Sequence, residues 1–193
     1  MMKKRRGKIF VLSSPSGGGK TSVCERLKSE RLGVRYSVSA TTRSPRKNEK
    51  SGRDYIFLSK DEFKKMRAKG KFLEWTNNFG DLYGTPKAFV KKTISSGKDV
   101  LLAIDVKGAM QIKKMEGSSV LMFLLPPSLR LLEKRLRGRN TEGRETIARR
   151  LRIARRELSY SKRYDYAVLN NSLRDAVDTV KAILIAERNR IRR

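Results

Sequence analysis

The chain has no histidine and only one cysteine in 193 residues. These absences exclude a zinc site built on His and Cys ligands, any catalysis that depends on an imidazole base, and an internal disulfide. The lone Cys24 falls in "TSVCERLKSE", which reads as a helix, and a small buried residue is its expected role there. No apolar run approaches the roughly 20 residues a membrane-spanning helix needs. The basic start "MMKKRRGK" is followed only by Ile9, Phe10, Val11 and Leu12 before a Ser/Pro/Gly segment, too short an apolar stretch for a signal-peptide core. Internal repeats and low-complexity tracts are also lacking. The expectation is a protein of the reducing cytoplasm with no membrane partner.

Negative charge is scarce as well. Against 47 Lys and Arg stand 19 Asp and Glu, a formal net charge of +28. Such a balance predicts anionic partners, and nucleic acid, an anionic membrane surface and small polyphosphates all satisfy it. Charge alone does not choose among them, and most of these side chains are expected on solvated helix faces. The hydrophobic fraction of 38% and the recurrent apolar runs argue for a folded globule, one domain in size, with room for inserted lobes.

Short apolar strands alternate with amphipathic segments. "KIFVL" (8–12), "DVLLAIDV" (99–106), "SVLMFLL" (119–125) and "YAVLN" (166–170) read as buried strands, each followed by a turn and then helical periodicity. That is the pattern of a parallel α/β sheet. Residues 36–90 break it with "YSVSATTR", "DYIFLS" and "GKFLEW" around one short helix, and are read as an inserted small lobe. "RLRGRNTEGRETIARRLRIARREL" reads as a second irregular part, dense in arginine and without a strand, and "SLRDAVDTVKAILIAERNRIRR" as a capped closing helix.

"SSPSGGGKTS" (13–22) follows the first strand directly. It matches the phosphate-loop pattern G-x-x-x-x-G-K-[ST] except that Ser14 stands at the first glycine. A buried strand enters and a helix leaves, so the backbone of Ser14, Pro15, Ser16, Gly17, Gly18, Gly19, Lys20, Thr21 and Ser22 is expected to wrap the phosphates of a nucleoside triphosphate, ATP on the resemblance given below, at a helix N-terminus. Lys20 would reach the β- and γ-phosphates, and the Thr21 hydroxyl would sit on Mg²⁺. A Gly/Ser-rich linker has no need of the strand, the lysine and the hydroxyl together.

The lobe carries the information about what receives the phosphate. In "SVSATTRSPR", Arg43 and Arg46 flank a turn stiffened by Pro45, so two guanidiniums can grip one small anion. Tyr55 in "GRDYIF" and Tyr83 in "LYGT" add hydroxyls for the same phosphate. Glu74, between Leu73 and Trp75, has two readings. Pointing inward, its carboxylate accepts from the N1–H and N2–H₂ edge of guanine, donors that adenine lacks; pointing outward, it is a strand-edge residue in water.

In combination these segments resemble the guanylate kinase family, whose enzymes make GDP and ADP from GMP and ATP. "SSPSGGGKTS", "SVSATTRSPR", "GRDYIFLSKDEF", "FLEW", "LYGT", "GKDVLLAIDVKG", "LPPS", "RLRGRNTE", "ARRL" and "YDYAVLN" follow one another in the family's order over nearly the whole chain. The resemblance implies a P-loop NTPase-type α/β fold: a parallel sheet flanked by helices, an inserted mixed α+β GMP-binding lobe and an Arg-rich lid. It implies a single domain, 1–193, divided into a phosphate-loop core (1–35), the GMP lobe (36–90), core (91–129), lid with flanking helices (130–156), and core with the closing helix (157–193).

By position, the resemblance gives the GMP phosphate to Arg43, Arg46, Tyr55 and Tyr83, and guanine to Ser39, Glu74 and Thr85. Asp105 is the family's acidic residue near the nucleotides, either ordering Mg²⁺-bound water or contacting GMP. Arg135, Arg139 and Arg150 reach the ATP phosphates, and with Lys20 and Arg43 they form the expected catalytic set; Asn170 meets the adenine end of ATP. dGMP is an open second acceptor. Ser14, Ala103, Lys107, Asn140 and Asn171 depart from the family's usual residues.

The chemistry needs no histidine, because an ionised GMP oxygen attacks and the catalytic task is to position two polyanions and neutralise their charge. Two rival classes are a non-catalytic protein-binding module of the same fold, which typically loses the phosphate loop, and a nucleic-acid-binding protein drawn from the basic surface. Nonspecific nucleic-acid binding is expected at most as a secondary property, and the sequence names no oligomeric state.

Overall fold

The computed structural model describes residues 5–30, 32–137 and 144–191. The first strand, β1 (Ile9–Ser13), is buried at every residue, as befits a parallel strand covered on both faces. The sheet also contains β2 (Val34–Ser37), β7 (Asp99–Ala103), β8 (Val120–Leu125) and β9 (Tyr166–Leu169), in the order β2-β7-β1-β8-β9 with β1 at the centre. β1 runs parallel to β8, with Phe10 opposite Val120 and Ser13 opposite Phe123, and β8 runs parallel to β9. The four strands read from the sequence are therefore present, and the fold is the expected parallel α/β sheet flanked by helices.

Two readings of local structure are corrected. "YSVSATTR" does not belong wholly to the small lobe, because Val34–Ser37 forms the β2 edge strand parallel to β7. The alternation there was legible, but not which sheet it joined. The Arg-rich stretch is not irregular where it is described: Leu129–Arg137 and Arg144–Ser159 are helices α5 and α6. Leu132 and Ala154 are fully buried where these helices pack, with Leu151 against them, and a seam that narrow is hard to see among so many arginines.

The chain divides into two compact units. One comprises the residues up to Ile9 with Gly33–Leu102 and Lys107–Ser119; the other comprises Phe10–Leu32, Ala103–Val106 and the chain from Val120 onward. The first contains a second sheet of β3 (Ala40–Thr41), β4 (Ile56–Phe57), β5 (Phe72–Asn78) and β6 (Asp81–Pro86), ordered β4-β3-β6-β5. Its helix α2 (Lys60–Ala68) starts at a capping box in which Ser59 and Glu62 exchange backbone and side-chain hydrogen bonds. This helix buries Phe63, stacked on Phe72 with ring centroids 4.4 Å apart, and Ala40 completes that core. Helices α3 (Lys87–Ser95) and α4 (Val106–Met115) follow in the chain.

The second unit holds α1 (Lys20–Ser29), α5, α6, a 3₁₀ turn (Tyr160–Arg163) and α7 (Leu173–Asn189). Ser172 caps α7, which buries Ala176, Val177, Val180, Ile183 and Leu184; Lys181 ties it to Glu30 at the end of α1 at 2.8 Å. Cys24 is buried as expected. Among the described residues no helix is long and apolar enough to cross a membrane.

Candidate active site

The loop after the central strand is where open α/β sheets carry their ligands. Here it is tightly built. Gly17 and Gly19 adopt φ of 82° and 93°, conformations that side chains resist. Gly18 is glycine for a different reason: a Cβ there would lie 2.9 Å from both the Pro15 carbonyl oxygen and Ser14 Cβ. The Gly18 N–H closes the loop onto the Pro15 carbonyl at 2.8 Å. Gly19 heads α1 without a side-chain cap, so Lys20, Thr21 and Ser22 open a helix N-terminus suited to an anion.

The surrounding side chains of the same unit support this loop. Lys20 Nζ donates to the Ile104 carbonyl at 2.8 Å, which holds its ammonium beside the segment containing Asp105. Asn170, buried, donates from Nδ2 to the Gly18 carbonyl at 2.9 Å. The Ser16 N–H donates to Glu157 of α6 at 3.2 Å. Tyr164, edge-on to Phe123, is pushed well above the ordinary phenol range, by burial first and then by the charges of Asp105 and Glu157. Glu157 and Tyr164 are absent from the sequence reading; nothing in "RRELSYSKRYDY" marks one acid or one tyrosine as a neighbour of the loop.

The acceptor candidates gather in the other unit. The β5/β6 register sets Glu74 opposite Thr85. Glu74 is 4% exposed and Thr85 fully buried, and the Thr85 hydroxyl donates to Glu74 Oε1 at 2.6 Å, a short charge-assisted bond. Glu74 therefore points inward and is not a strand-edge residue in water. Arg43, half-buried, lies over the Tyr55 ring at 5.5 Å and the Phe57 ring at 6.0 Å, and Tyr55 meets Tyr83 edge-on at 6.1 Å. Burial works to lower the Arg43 pKa, but Glu49 and then Tyr83 outweigh it and hold it above its ordinary value. Burial, and after it Tyr83, raises the Tyr55 phenol. Arg46 is exposed at the end of the same loop, and Ser39, half-buried, accepts from the Ile56 N–H through its carbonyl.

Thus Arg43, Arg46, Tyr55, Tyr83, Glu74, Thr85 and Ser39 lie in one unit, and the phosphate loop, Asp105, Asn170 and Arg150 in the other. Arg150 is half-buried on α6. The side chain of Arg135, Asn140 and the whole of Arg139 lie outside the described residues. Ser13 Oγ reaches the Asp105 carbonyl at 3.5 Å, which sets Asp105 beside the loop. Glu49, also missed, accepts from Arg43 and from the Arg46 backbone; its signal was being the one acid between Arg43 and Arg53 amid five cations.

Among the described residues no three His, Cys, Asp or Glu cluster as a metal cage. Thr21 and Asp105 instead offer hard oxygen donors next to the loop, the sparse set typical of Mg²⁺ held chiefly by substrate phosphates and water.

Known proteins resemble this chain over nearly its full length. The family model described as guanylate kinase matches residues 6–187. The guanylate kinase of Halalkalibacterium halodurans is 45% identical over 186 residues, covering 96% of this chain and 91% of the relative. That of Desulfitobacterium hafniense is 44% identical over 192 residues, covering 100% and 96%. The crystal structure of guanylate kinase from Anaplasma phagocytophilum superposes with a TM-score of 0.81 at 34% identity, covering 98% of this chain and 90% of that one. With the loop, the buried acid and the ordered motifs all in place, the chain belongs to the guanylate kinase family.

Proposed function

We propose that the protein transfers the γ-phosphoryl group of ATP to GMP, giving ADP and GDP. The observation that carries this reading is the buried Glu74/Thr85 pair, a carboxylate held inside a lobe otherwise rich in cations. Guanine presents N1–H and N2–H₂ to such an acceptor, whereas adenine presents a lone pair at N1, which a carboxylate repels. Ser39 lies in the same unit and is assigned to the base with them.

Arg43, Arg46, Tyr55 and Tyr83 are assigned to the acceptor phosphate, since their donors share one loop and ring cluster. ATP is assigned to residues 14–22, with Lys20 on the β- and γ-phosphates and Asn170 holding the loop's shape through Gly18. An oxygen of the GMP phosphate attacks the γ-phosphorus, and the bond to the β,γ-bridging oxygen breaks, leaving its electrons on ADP. No base is required, because the attacking oxygen is already ionised near neutral pH. Lys20, Arg43 and the arginines put forward as lid residues, Arg135, Arg139 and Arg150, counter the charge that spreads over the transferring group. Mg²⁺, which Thr21 and Asp105 fit as oxygen donors, supplies further charge neutralisation when bound with ATP. Reversibility follows, since one phosphoanhydride bond is broken in ATP and one is formed in GDP.

The finer partner and compartment assignments rest on chemistry. A reducing cytoplasm suits a chain whose single thiol, Cys24, is buried. Weak, salt-sensitive nucleic-acid binding suits α6, which exposes Arg149, Arg152, Arg155 and Arg156. The deciding assay couples ADP release to GMP or AMP, with MgATP, in wild type, Glu74→Ala and Lys20→Ala. Activity with GMP only, weakened in the first variant and nearly abolished in the second, is expected. No GMP-dependent ADP release from folded protein overturns the reading.

A further inference from the structure

Between Arg43 and Arg53 the chain carries five cations and one acid, Glu49. That acid is the hub of the loop. Both its oxygens accept from Arg43 Nη2 at 2.9 Å, and Oε2 also accepts from the Arg46 backbone N–H at 2.8 Å. The Glu49 N–H returns a bond to the Arg46 carbonyl at 2.9 Å, closing the turn from the other side. The Arg46 guanidinium lies 3.9 Å from Oε1. Arg43 Nη1 meanwhile donates to the Ser44 carbonyl at 2.7 Å.

The geometry of this grip matters. Glu49 does not meet Arg43 through the side-on fork that engages Nε together with one Nη; it takes Nη2 alone. Ser44 takes an Nη1 hydrogen, and Tyr83 also hydrogen-bonds the guanidinium. Glu49 is 18% and Arg43 17% exposed, so the pair is shielded enough to hold a fixed geometry. An arginine carries large rotamer freedom, and a ligand that must immobilise it binds more weakly than one that finds it already placed.

We propose that Glu49 is a positioning residue for the acceptor phosphate: by pinning the Arg43 guanidinium and the Arg46 backbone together, it sets the affinity for the phosphate of GMP and not for its base. This rests on the GMP reading above. Its carboxylate opposes an arriving phosphate by charge, and the proposal is that the order it imposes on the two arginines outweighs that repulsion.

Calorimetric titration of GMP and of guanosine, without ATP, separates the phosphate from the base. In Glu49→Gln, GMP binding is expected to weaken about tenfold, as for loss of a preorganised charge-assisted contact, with guanosine changed less than about twofold. Glu49→Asp, too short to span both arginines, should fall between. In an Arg43→Ala background, Glu49→Gln should cost GMP less than it does in the wild type, because only the part that passes through Arg46 remains. In turnover, KM for GMP should rise while KM for ATP holds, a split that general loop damage does not produce. Unchanged or tighter GMP binding in Glu49→Gln, or an equal loss for guanosine, overturns the proposal. Because titration needs no turnover, a wild type that binds GMP but releases no ADP strikes the phosphotransferase reading and leaves the Glu49 result standing by itself.

Discussion

Replacing Glu74 by glutamine alters one atom's chemistry at a buried position. The Thr85 hydroxyl, now 2.6 Å from Oε1, can still donate to the amide oxygen, which leaves the new NH₂ facing the direction from which guanine donates. Two donors then oppose each other. A hydrogen bond to a charged group contributes about 1.5–3 kcal/mol, and a buried donor left unmade costs about 1–3 kcal/mol. Together these give roughly 3–5 kcal/mol in transition-state binding, or a fall of about 10² to 10³·⁵ in kcat/KM for GMP. AMP, which never made the bond, should lose almost nothing, so the GMP/AMP ratio should collapse. Stability of the ligand-free protein should move the other way or not at all, because the substitution removes a desolvated charge from a site 4% exposed. Steady-state kinetics with both nucleotides and a urea titration test this. A loss under about tenfold for GMP, or an equal loss for AMP, would refute the assignment of Glu74 to the base.

Gly18→Ala should destabilise the phosphate loop by about 1–3 kcal/mol through overpacking against the Pro15 carbonyl and Ser14, and Ser14→Gly in the same chain should recover part of it in thermal unfolding. Asn170→Ala strands the buried Gly18 carbonyl, worth about 1–3 kcal/mol, so KM for ATP should rise about tenfold or more with KM for GMP unchanged. The Tyr55 phenol is raised in the folded state, so its contribution is complete below the unfolded value of 10.0 and is lost as pH climbs past it toward the folded value; Tyr55→Phe should flatten the loss of stability above that pH. Glu30, lowered first by its bond to Lys181, works oppositely: its contribution is complete above the unfolded 4.5 and lost as pH falls through the lower folded value, so Glu30→Gln should lessen acid sensitivity in unfolding titrations.

The core was legible where burial runs along the chain. Strands such as β1 and β8 sit between helices, so their residues are uniformly apolar and stand out in one dimension. β3 and β4 are two residues each and carry no periodicity; they exist because β6 and the Phe63/Phe72 stack hold them. The phosphate loop was readable because its glycines have local reasons, φ at Gly17 and Gly19 and contact at Gly18. Glu74 was readable only as an alternative, since its orientation depends on a register irregularity between Phe72 and Glu74 that no pattern announces. Glu157 and Asn170 act on the loop from 141 and 152 residues away, a distance over which sequence gives no pairing signal.

The skewed composition explains which residues carried information. With 47 cations in 193 positions, an arginine anywhere is the background, and Arg43 was distinguished only by its companions. Acids are the rarer event, and the structure puts several of them where positive or donor groups must be fixed in place. Asp99, 2% exposed, accepts from Arg5 at 3.0 Å and from the Lys8 N–H at 2.8 Å; Glu187, 3% exposed, accepts from Tyr166 and Arg190. Glu49 does the same for Arg43 and Arg46, and Glu157 for the Ser16 N–H. These four serve as internal counter-charges. Glu74 accepts from a hydroxyl too, that of Thr85, but it sits deep in the small lobe, facing Thr85 across the β5/β6 pair. A buried carboxylate is costly to desolvate, and a ligand that donates to it offsets part of that cost, which is the role the proposed function gives Glu74 opposite Thr85.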